Sequence, residues 1–474
     1  MVAKLTAVLL VCVGMVASGA PTVPDDDRAA AHALNRLAYG ARPGDVATVR
    51  AMGVATWIDQ QLHPDRIDDV ALEARLATLT TLTLDSRTIV EHYDRPAVAA
   101  RRLGSKTGKT PELHKSRLVL EQLEAAKILR AVYSERQLEA VLVDFWFNHF
   151  NVFAGKGLTR TYVTEYERDV IRPHVFGRFR DLLGATAKSP AMLFYLDNWE
   201  NVDPSAARLS APRSSRRAPA TAVAKPPRGL NENYARELME LHTLGVDGGY
   251  TQHDVAEVAR AFTGWTMRPR EGTGFVFAQA LHDRQAKTVL GHALAPGRGL
   301  ADGEQVLDIL AQHPSTARVI AKKLARRFIS DTPPEALVDR AAARFLTTKG
   351  DLREVVRLIV TSPEFSAPAA LHAKVKTPLE FVASALRVTS AEVANARPLA
   401  RTLRDLGMPL FHCQPPTGYD DRADAWTSSG ALVSRMNFAI ALGGNDVRGS
   451  QLPSGANTRA AVTAAIGSPE FQAR

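Results

Sequence analysis

Four side chains in three separate segments have the chemistry that a catalytic or metal-binding site needs. They are His149 at the end of an aromatic run, Glu237 and His242 in one polar segment, and His412 in a proline-rich loop. Histidine works as an acid–base group or a metal ligand near neutral pH, and glutamate can do either beside it. We therefore hypothesise one composite polar pocket of a metal-assisted hydrolase or oxidoreductase, with a divalent metal bound by His149, Glu237 and His242.

Each of these candidates also has a purely structural explanation. The aromatic residues around His149 indicate a buried helix end, where an imidazole needs hydrogen-bond partners. On a helix through residues 231–245, His242 lies near the centre of the apolar face, whereas Glu237 points to the other side. His412 can simply pack within its loop. Both interpretations stay open at the level of sequence.

The sequence contains none of the short motifs that define common metal and nucleophile sites. It has no pair of histidines one helical turn apart with a glutamate beside the first, as zinc proteases have. No glutamate precedes a histidine by three residues, as in di-iron bundles. No serine stands between two glycines at alternating positions, and no nucleic-acid-binding motif is present. A catalytic site would therefore have to form from distant segments.

Regular spacing of apolar residues predicts helices along most of the chain. Ser134 is placed as the N-cap of a helix that begins near Gln137 and carries His149. Thr251 and Asp254 have the capping-box pattern. The first three predicted helices cover Ala29–Tyr39, Asp45–Met52 and a segment from Ala55 to Leu62.

Two of the later helices carry further expectations. The apolar spacing after the capping box continues to Trp265, which predicts one helix up to that residue. A helix opened by Ser315 has Ile320, Leu324 and Phe328 on its apolar face. Its other face is expected to be a solvated basic stripe made of Lys322, Lys323, Arg326 and Arg327.

Strand signals are few. Gly274–Ala278 and Lys287–Leu290 are the main ones, and we expect them to pair as a small hairpin across Leu281–Arg284. No alternation of strands and helices runs through the chain, which argues against a parallel α/β sheet. The predicted fold class is mainly α: residues 21–474 form a single large, multi-helix, bundle-like domain with at most a small β-hairpin.

The N-terminus predicts export. Lys4 is followed by an uncharged apolar run, Leu5–Ala17, and then by small residues, which is the layout of a signal peptide over residues 1–20. We expect a periplasmic or extracellular protein that is not an integral membrane protein after cleavage. The two cysteines are Cys12 and Cys413, so the mature chain has one thiol and must gain its stability from packing.

The chain of 474 residues has a net charge of +9, and much of the basic excess is local. The segment 204–228 holds six Arg or Lys residues and no acidic one, among Pro, Ala and Ser, which is typical of a flexible basic insertion. The alternative function that follows is a non-catalytic cell-surface binding or assembly protein. Its partner would be a cell-surface protein or a polysaccharide that contacts the insertion or the proline-rich loop.

Seven segments spread over nearly the whole chain together resemble a known family. They are His32–Gly40, Phe145–Phe150, Asn231–Gly245, Tyr250–Trp265, His313–Phe328, Lys374–Val382 and Leu410–Gly418. In these segments the chain is similar to bacterial proteins of the domain of unknown function 1800 family. The resemblance implies an exported protein and a variable insertion at 204–228, and it implies no activity, cofactor or catalytic residue.

Overall fold

Helical periodicity governs the part of the chain that the structure describes. The computed structural model describes residues 26–102, 110–209, 229–268, 274–454 and 459–474, and it is 64% helical with three two-stranded sheets in those ranges. The predicted mainly α class is therefore confirmed. The predicted signal peptide lies outside the described residues. Of the predicted insertion, 204–209 form a short helix and 210–228 lie outside the described residues.

The N-terminal part of the chain runs from an acidic helix start to the aromatic segment with His149. Its helices are α1 (Asp27–Leu37), α2 (Asp45–Met52), α3 (Val54–Gln61), α4 (Val70–Leu76), α5 (Ser86–Ile89), α6 (Arg95–Arg102), α7 (Pro111–Tyr133) and α8 (Gln137–His149). A π-helical turn, Val90–Asp94, joins α5 to α6, and 3₁₀ turns occupy Pro64–Arg66 and Thr80–Thr83.

The middle of the chain contains short helices and two of the small sheets. Its helices are α9 (Thr159–Glu165), α10 (Phe179–Lys188), α11 (Pro190–Tyr195), α12 (Pro204–Leu209), α13 (Asn233–Glu240) and α14 (Gln252–Ala261). Its strands are β1 (Trp265–Met267), β2 (Phe275–Phe277), β3 (Lys287–Val289) and β4 (His292–Leu294). The remaining turns are the π turn Tyr166–Ile171 and the 3₁₀ turns Arg172–His174, Asn198–Glu200 and Gln279–Leu281.

The C-terminal part is again helical. Its elements are α15 (Leu300–Gln312), α16 (Pro314–Phe328), α17 (Glu335–Thr347), α18 (Leu352–Val360), α19 (Pro363–Ser366), α20 (Pro378–Val388), β5 (Glu392–Val393), α21 (Ala396–Asp405), α22 (Ser429–Gly443), β6 (Ser450–Gln451), α23 (Arg459–Gly467) and α24 (Pro469–Gln472). The 3₁₀ turns here are Pro368–Ala370 and Ala423–Trp426. In the described ranges, no helix is both long enough and apolar enough to cross a bilayer.

The expected hairpin between the two strand signals is wrong, although both signals mark strands. β2 pairs with β1, and β3 pairs with β4, each antiparallel. The turn between β3 and β4 consists of Leu290 and Gly291, with φ of 49° and 78°. Positive φ at both positions is the geometry of a type I′ turn, which suits a two-residue hairpin loop. β3 therefore pairs with β4, the strand that follows it directly, and not with β2.

Several predicted helix limits also need correction. Helix α1 covers Asp27–Leu37 instead of Ala29–Tyr39, and α16 begins at Pro314, with His313 instead of Ser315 as its N-cap. Ser134 caps the C-terminal end of α7, and its Oγ accepts a hydrogen bond from the Arg136 amide while donating to Asp69 at 2.6 Å. Helix α14 keeps the predicted capping box at Thr251 but ends at Ala261. The cause is Gly264, whose φ of 77° turns the chain away, so Trp265 starts β1 instead of continuing the helix.

Buried apolar residues form one continuous cluster from Ala30 to Ile466. Trp146 and Trp265, expected from the sequence to be core residues, are both fully buried. Cys413 is a free, buried cysteine, so the described chain is held together by packing instead of a disulfide. Large chains bury enough apolar surface for this.

Candidate functional site

Two asparagines at the end of α8 hold the proline-rich loop in place. The Asn148 amide donates to the Tyr419 carbonyl at 2.7 Å and its Oδ1 accepts from the Tyr419 amide at 2.7 Å. The Asn151 amide donates to the carbonyls of Cys413 and Pro415 at 2.9 and 2.8 Å. These contacts satisfy loop backbone groups that have no secondary-structure partner. The loop is thereby fixed on both sides of His149.

Gly418 allows this close approach. A Cβ atom at this position would lie 2.3 Å from the Asn148 carbonyl oxygen, and its φ is 73°. Both the lack of space and the left-handed backbone favour glycine. The sequence Thr417-Gly418-Tyr419 therefore forms a wall directly against the end of α8.

Both ring nitrogens of His149 are engaged inside the protein. The side chain is 4% exposed, its Nδ1 lies 2.9 Å from the Lys323 amine, and its Nε2 lies 3.1 Å from the His242 carbonyl oxygen. An amine donates and a carbonyl accepts, which assigns the hydrogen to Nε2 and the lone pair to Nδ1. Burial lowers the pKa of His149 well below its usual value, and the nearby Lys323 charge lowers it further. His149 is therefore a neutral imidazole.

Helix α13 ends at Glu240, so His242 lies in the turn that follows it and not on the continued helix that the sequence predicts. The amides of Leu241 and His242 both donate to the Glu237 carbonyl, and the helix ends there. The His242 carbonyl therefore has no helical partner and accepts from His149. The His242 ring is 1% exposed and packs 5.1 Å from the Phe150 ring. Burial, followed by the Lys323 charge, lowers its pKa to about 3. Its Nε2 has no hydrogen-bond partner among the described residues.

Lys323 is the site residue that the sequence interpretation missed. It was expected to lie in a solvated stripe on α16, but its amine reaches His149 and is partly buried. Burial, followed by the charge of Arg326, lowers the pKa of Lys323 to about 8, and no carboxylate among the described residues forms an ion pair with it. Arg327, from the same stripe, is 4% exposed and pairs with Glu380 at 2.6 Å. Only part of the predicted stripe faces solvent.

No local signal on α16 marks Lys323 for burial. Alanine recurs every fourth residue at Ala317, Ala321 and Ala325, and all three are buried. At about 100° per residue, however, Lys323 lies on nearly the opposite side of α16 from this row. Its burial therefore comes from the elements that pack against that side.

A cavity of about 280 Å³ opens beside the Lys323 amine, and we call it the Lys323 pocket. Its walls come from the end of α8, the turn after α13, α16 and the loop held by the two asparagines. The lining residues are Phe145, Asn148, His149, Leu241, Lys323, Arg326, Thr417, Gly418, Tyr419, Asp420 and Asp421. A larger cleft, of about 470 Å³, lies between α7 and α21 and contains none of the predicted site residues.

The remaining two candidates lie outside the lining of the Lys323 pocket. Burial, with the Glu240 charge, raises the pKa of Glu237. Burial also raises the pKa of Tyr195, and the Cys413 and Glu237 charges contribute to this shift. The Tyr195 hydroxyl donates to the Gln414 carbonyl. The His412 ring packs 5.9 Å from the Phe153 ring. Burial, followed by the Arg404 charge, lowers the pKa of His412. The structure thus brings His149 and His242 together and adds Lys323 in place of Glu237 and His412.

The geometry does not fit the hypothesised divalent metal. The described ranges contain no group of three or more His, Cys, Asp or Glu side chains arranged to hold a metal ion. The ring centroids of His149 and His242 are 6.3 Å apart, but both nitrogens of His149 already have partners. The chemistry that this donor set supports is that of an amine and a neutral imidazole.

Comparison with known proteins places the whole arrangement in one family. No curated protein and no solved structure matches the chain. A family model described as "Protein of unknown function (DUF1800)" matches residues 32–473, which includes every residue of the Lys323 pocket. The chain therefore belongs to the DUF1800 family of proteins of unknown function.

Proposed function

We propose that the chain binds a small organic anion in the Lys323 pocket, and that this pocket is its functional site. The observation that carries the proposal is the Lys323 amine, which is held by a neutral histidine and lacks a carboxylate partner among the described residues. Removing a charged group from water is unfavourable unless another charge compensates it. A bound anion would supply that compensation.

The neighbouring charges support an anionic ligand. Arg326 also lines the pocket, and among the described residues its Nε donates to the Asp331 backbone carbonyl alone, at 3.3 Å. Asp421 lies on the pocket wall, but its oxygens are 3.4 Å from the Lys374 amine and 3.6 Å from the Arg327 guanidinium. With Arg474 at 3.7 Å, its charge is thus shared with three other cations. The second carboxylate on the wall, Asp420, accepts a hydrogen bond from the Arg422 amide. Lys323 and Arg326 are the two cations in the pocket lining that can meet a ligand.

The size and composition of the pocket suit a small polar molecule. Ligand pockets typically combine apolar walls with a few convergent polar groups. Here Phe145, Leu241 and Tyr419 supply apolar surface, while Lys323 and Arg326 supply hydrogen-bond donors. Groups with displaced pKa values in a cleft are typical of functional sites. We therefore favour an acid–base or nucleophilic role for Lys323 over the metal-assisted reaction expected from the sequence.

A thermal-shift experiment on the full chain tests anion binding. Propionate and phosphate, titrated at constant ionic strength, are expected to raise the melting temperature of the wild type, whereas neutral glycerol is not. Lys323→Met should abolish the shift, and Lys322→Met should keep it, because Lys322 is on the same helix but pairs with Glu335 at the surface. Equal shifts in all three proteins would show that the anions act elsewhere and would overturn the proposal.

We also propose that the protein works outside the cytoplasm. The support is the single basic residue and apolar run at the start of the sequence, which are typical of a signal peptide. Fractionation of cells that express the full chain, followed by N-terminal sequencing, tests this. Export predicts an enriched periplasmic or extracellular form that starts near residue 21. A cytoplasmic protein with an intact N-terminus would contradict it.

A further inference from the structure

The amine of Lys323 is positioned for more than electrostatic binding. Its hydrogen bond to His149 Nδ1, at 2.9 Å, occupies one N–H of the amine, and Lys323 itself lines the cavity. In a neutral amine held in this way, the nitrogen lone pair is available to a molecule in the pocket. The pKa of about 8 means that such neutral amine is populated near neutral pH. A neutral lysine amine is a nucleophile toward carbonyl carbons.

Arg326 adds a second requirement for the ligand. It lies three residues after Lys323, so the two side chains share one face of α16 and both line the pocket. The planar guanidinium is well suited to bind a carboxylate through two parallel hydrogen bonds. A molecule that uses both residues must therefore carry a carboxylate and an electrophilic carbon a few bonds apart.

We propose that Lys323 forms an imine with a small 2-oxo acid whose carboxylate is bound by Arg326. This inference rests on the proposed binding function and names its ligand class. In the reaction, the amine nitrogen bonds to the carbonyl carbon as the C=O π bond breaks, and one N–H proton passes to the oxygen. The resulting hydroxyl leaves as water with the second N–H proton, as the C=N bond forms. No oxidant or reductant is consumed.

His149 acts in this scheme as a positioning residue. Its ring forms part of the pocket wall, but its Nδ1 is engaged by the Lys323 amine and its Nε2–H by the His242 carbonyl, so neither ring nitrogen is left to bind the ligand. The Nδ1 lone pair faces the amine only in this tautomer. Replacing His149 with glutamine keeps one acceptor and one donor on the side chain, so His149→Gln should retain imine formation better than His149→Leu. If the role of His149 were purely structural, both variants would lower the melting temperature, and they would not differ in imine formation.

Reductive trapping on the full chain tests the proposal. The protein is incubated with pyruvate and sodium cyanoborohydride near pH 7.5, and the site of the stable secondary amine is mapped by mass spectrometry of peptides. We expect labelling at Lys323 to be roughly tenfold or more faster than at Lys322, because burial lowers the pKa of Lys323 and so raises the neutral fraction of its amine at this pH. Propionate, which lacks the carbonyl, should compete with pyruvate.

Two variants make the outcome decisive. Lys323→Arg keeps the charge but cannot form an imine, so it should lose the label while keeping the thermal shift with propionate. Lys322→Arg, the matched control, should change neither. A thermal shift without preferential labelling of Lys323 would refute the imine and leave anion binding standing. Absence of both effects in the wild type would refute both proposals.

Discussion

The side chain of Asn148 and the backbone of Tyr419 are joined by two hydrogen bonds of 2.7 Å, one in each direction. This pair fastens the loop that forms one wall of the Lys323 pocket. We predict that Asn148→Ala lowers the free energy of unfolding by about 1–2 kcal/mol, because it leaves two loop backbone groups without partners. Urea unfolding measures this change. Hydrogen exchange of the loop amides should speed up, with that of Tyr419 most affected.

The control for this change is Asn437→Ala. Asn437 is exposed on α22, and substitutions at such surface positions usually change the free energy of unfolding by less than about 0.5 kcal/mol. Equal effects of the two variants on stability and on exchange in the loop would contradict the anchoring role of Asn148.

Gly418 provides a second test of the same contact. We predict that Gly418→Ala is more destabilising than Gly407→Ala by about 1–3 kcal/mol, because only the first adds a steric clash to the strain of a positive φ. At Gly407, φ is 92° and no atom lies within 4 Å of an added Cβ, whereas at Gly418 the Asn148 carbonyl is 2.3 Å away. Thermal unfolding of both variants measures the difference. Similar melting temperatures would show that the loop can move away from α8.

The buried carboxylate of Glu380 should control stability in acid. It lies 2.6 Å from Arg327 and 3.0 Å from Arg474, and it is 4% exposed. Burial alone would raise the pKa of Glu380, but the charges of Arg327 and Arg474 outweigh it and lower the pKa to about 2. Because the folded pKa lies below the usual value of 4.5, the stabilisation is complete above pH 4.5 and is lost as pH falls toward 2.

We therefore predict that Glu380→Gln lowers the free energy of unfolding at pH 7 by about 3–5 kcal/mol, since two buried guanidinium groups lose their counter-charge. The difference between wild type and variant should narrow between pH 4.5 and 2. Glu335→Gln is the control, because its pairs with Arg318 and Lys322 are at the surface and contribute less than about 1 kcal/mol. Urea unfolding over this pH range measures both, and a difference that does not depend on pH would be evidence against the assignment.

Lys323 should affect the free energy of unfolding at alkaline pH. Its folded pKa of about 8 is below the usual 10.5, so between these values the unfolded state binds more protons and the folded state gains stability as pH rises. We predict that Lys323→Met is more stable than the wild type at pH 7. Its advantage should shrink by about 2 kcal/mol between pH 8 and 10.5, after allowance for the partial exposure of the side chain.

Chemical unfolding at a series of pH values measures this effect. Lys322→Met serves as the reference, because this side chain is 44% exposed and pairs at the surface. Because this pair is at the surface, Lys322→Met should change the free energy of unfolding by less than about 1 kcal/mol. If the Lys323→Met difference does not change between pH 8 and 10.5, the lowered pKa of Lys323 is contradicted, and so is the neutral amine in the pocket.

Local patterns in the sequence determined the mainly α class and the family, and they offered burial as one of two interpretations of His149 and His242. Helical periodicity and aromatic neighbours act over a few residues, so they can be recognised without knowing what packs against them. The same reasoning placed α2 correctly at Asp45–Met52 and found the capping box at Thr251. It extended α14 to Trp265 because a turn at Gly264 leaves the apolar spacing intact.

The pairing of His149 with Lys323 was decided only by the tertiary structure. The two residues are 174 positions apart, and on α16 alone Lys323 is indistinguishable from Lys322, one residue earlier. Which of them is buried depends on the end of α8 and on a loop that Asn148 and Asn151 hold in place. Burial is a property of the surfaces that neighbouring elements cover. The pKa of the amine, and the chemistry proposed for it, follow from that burial.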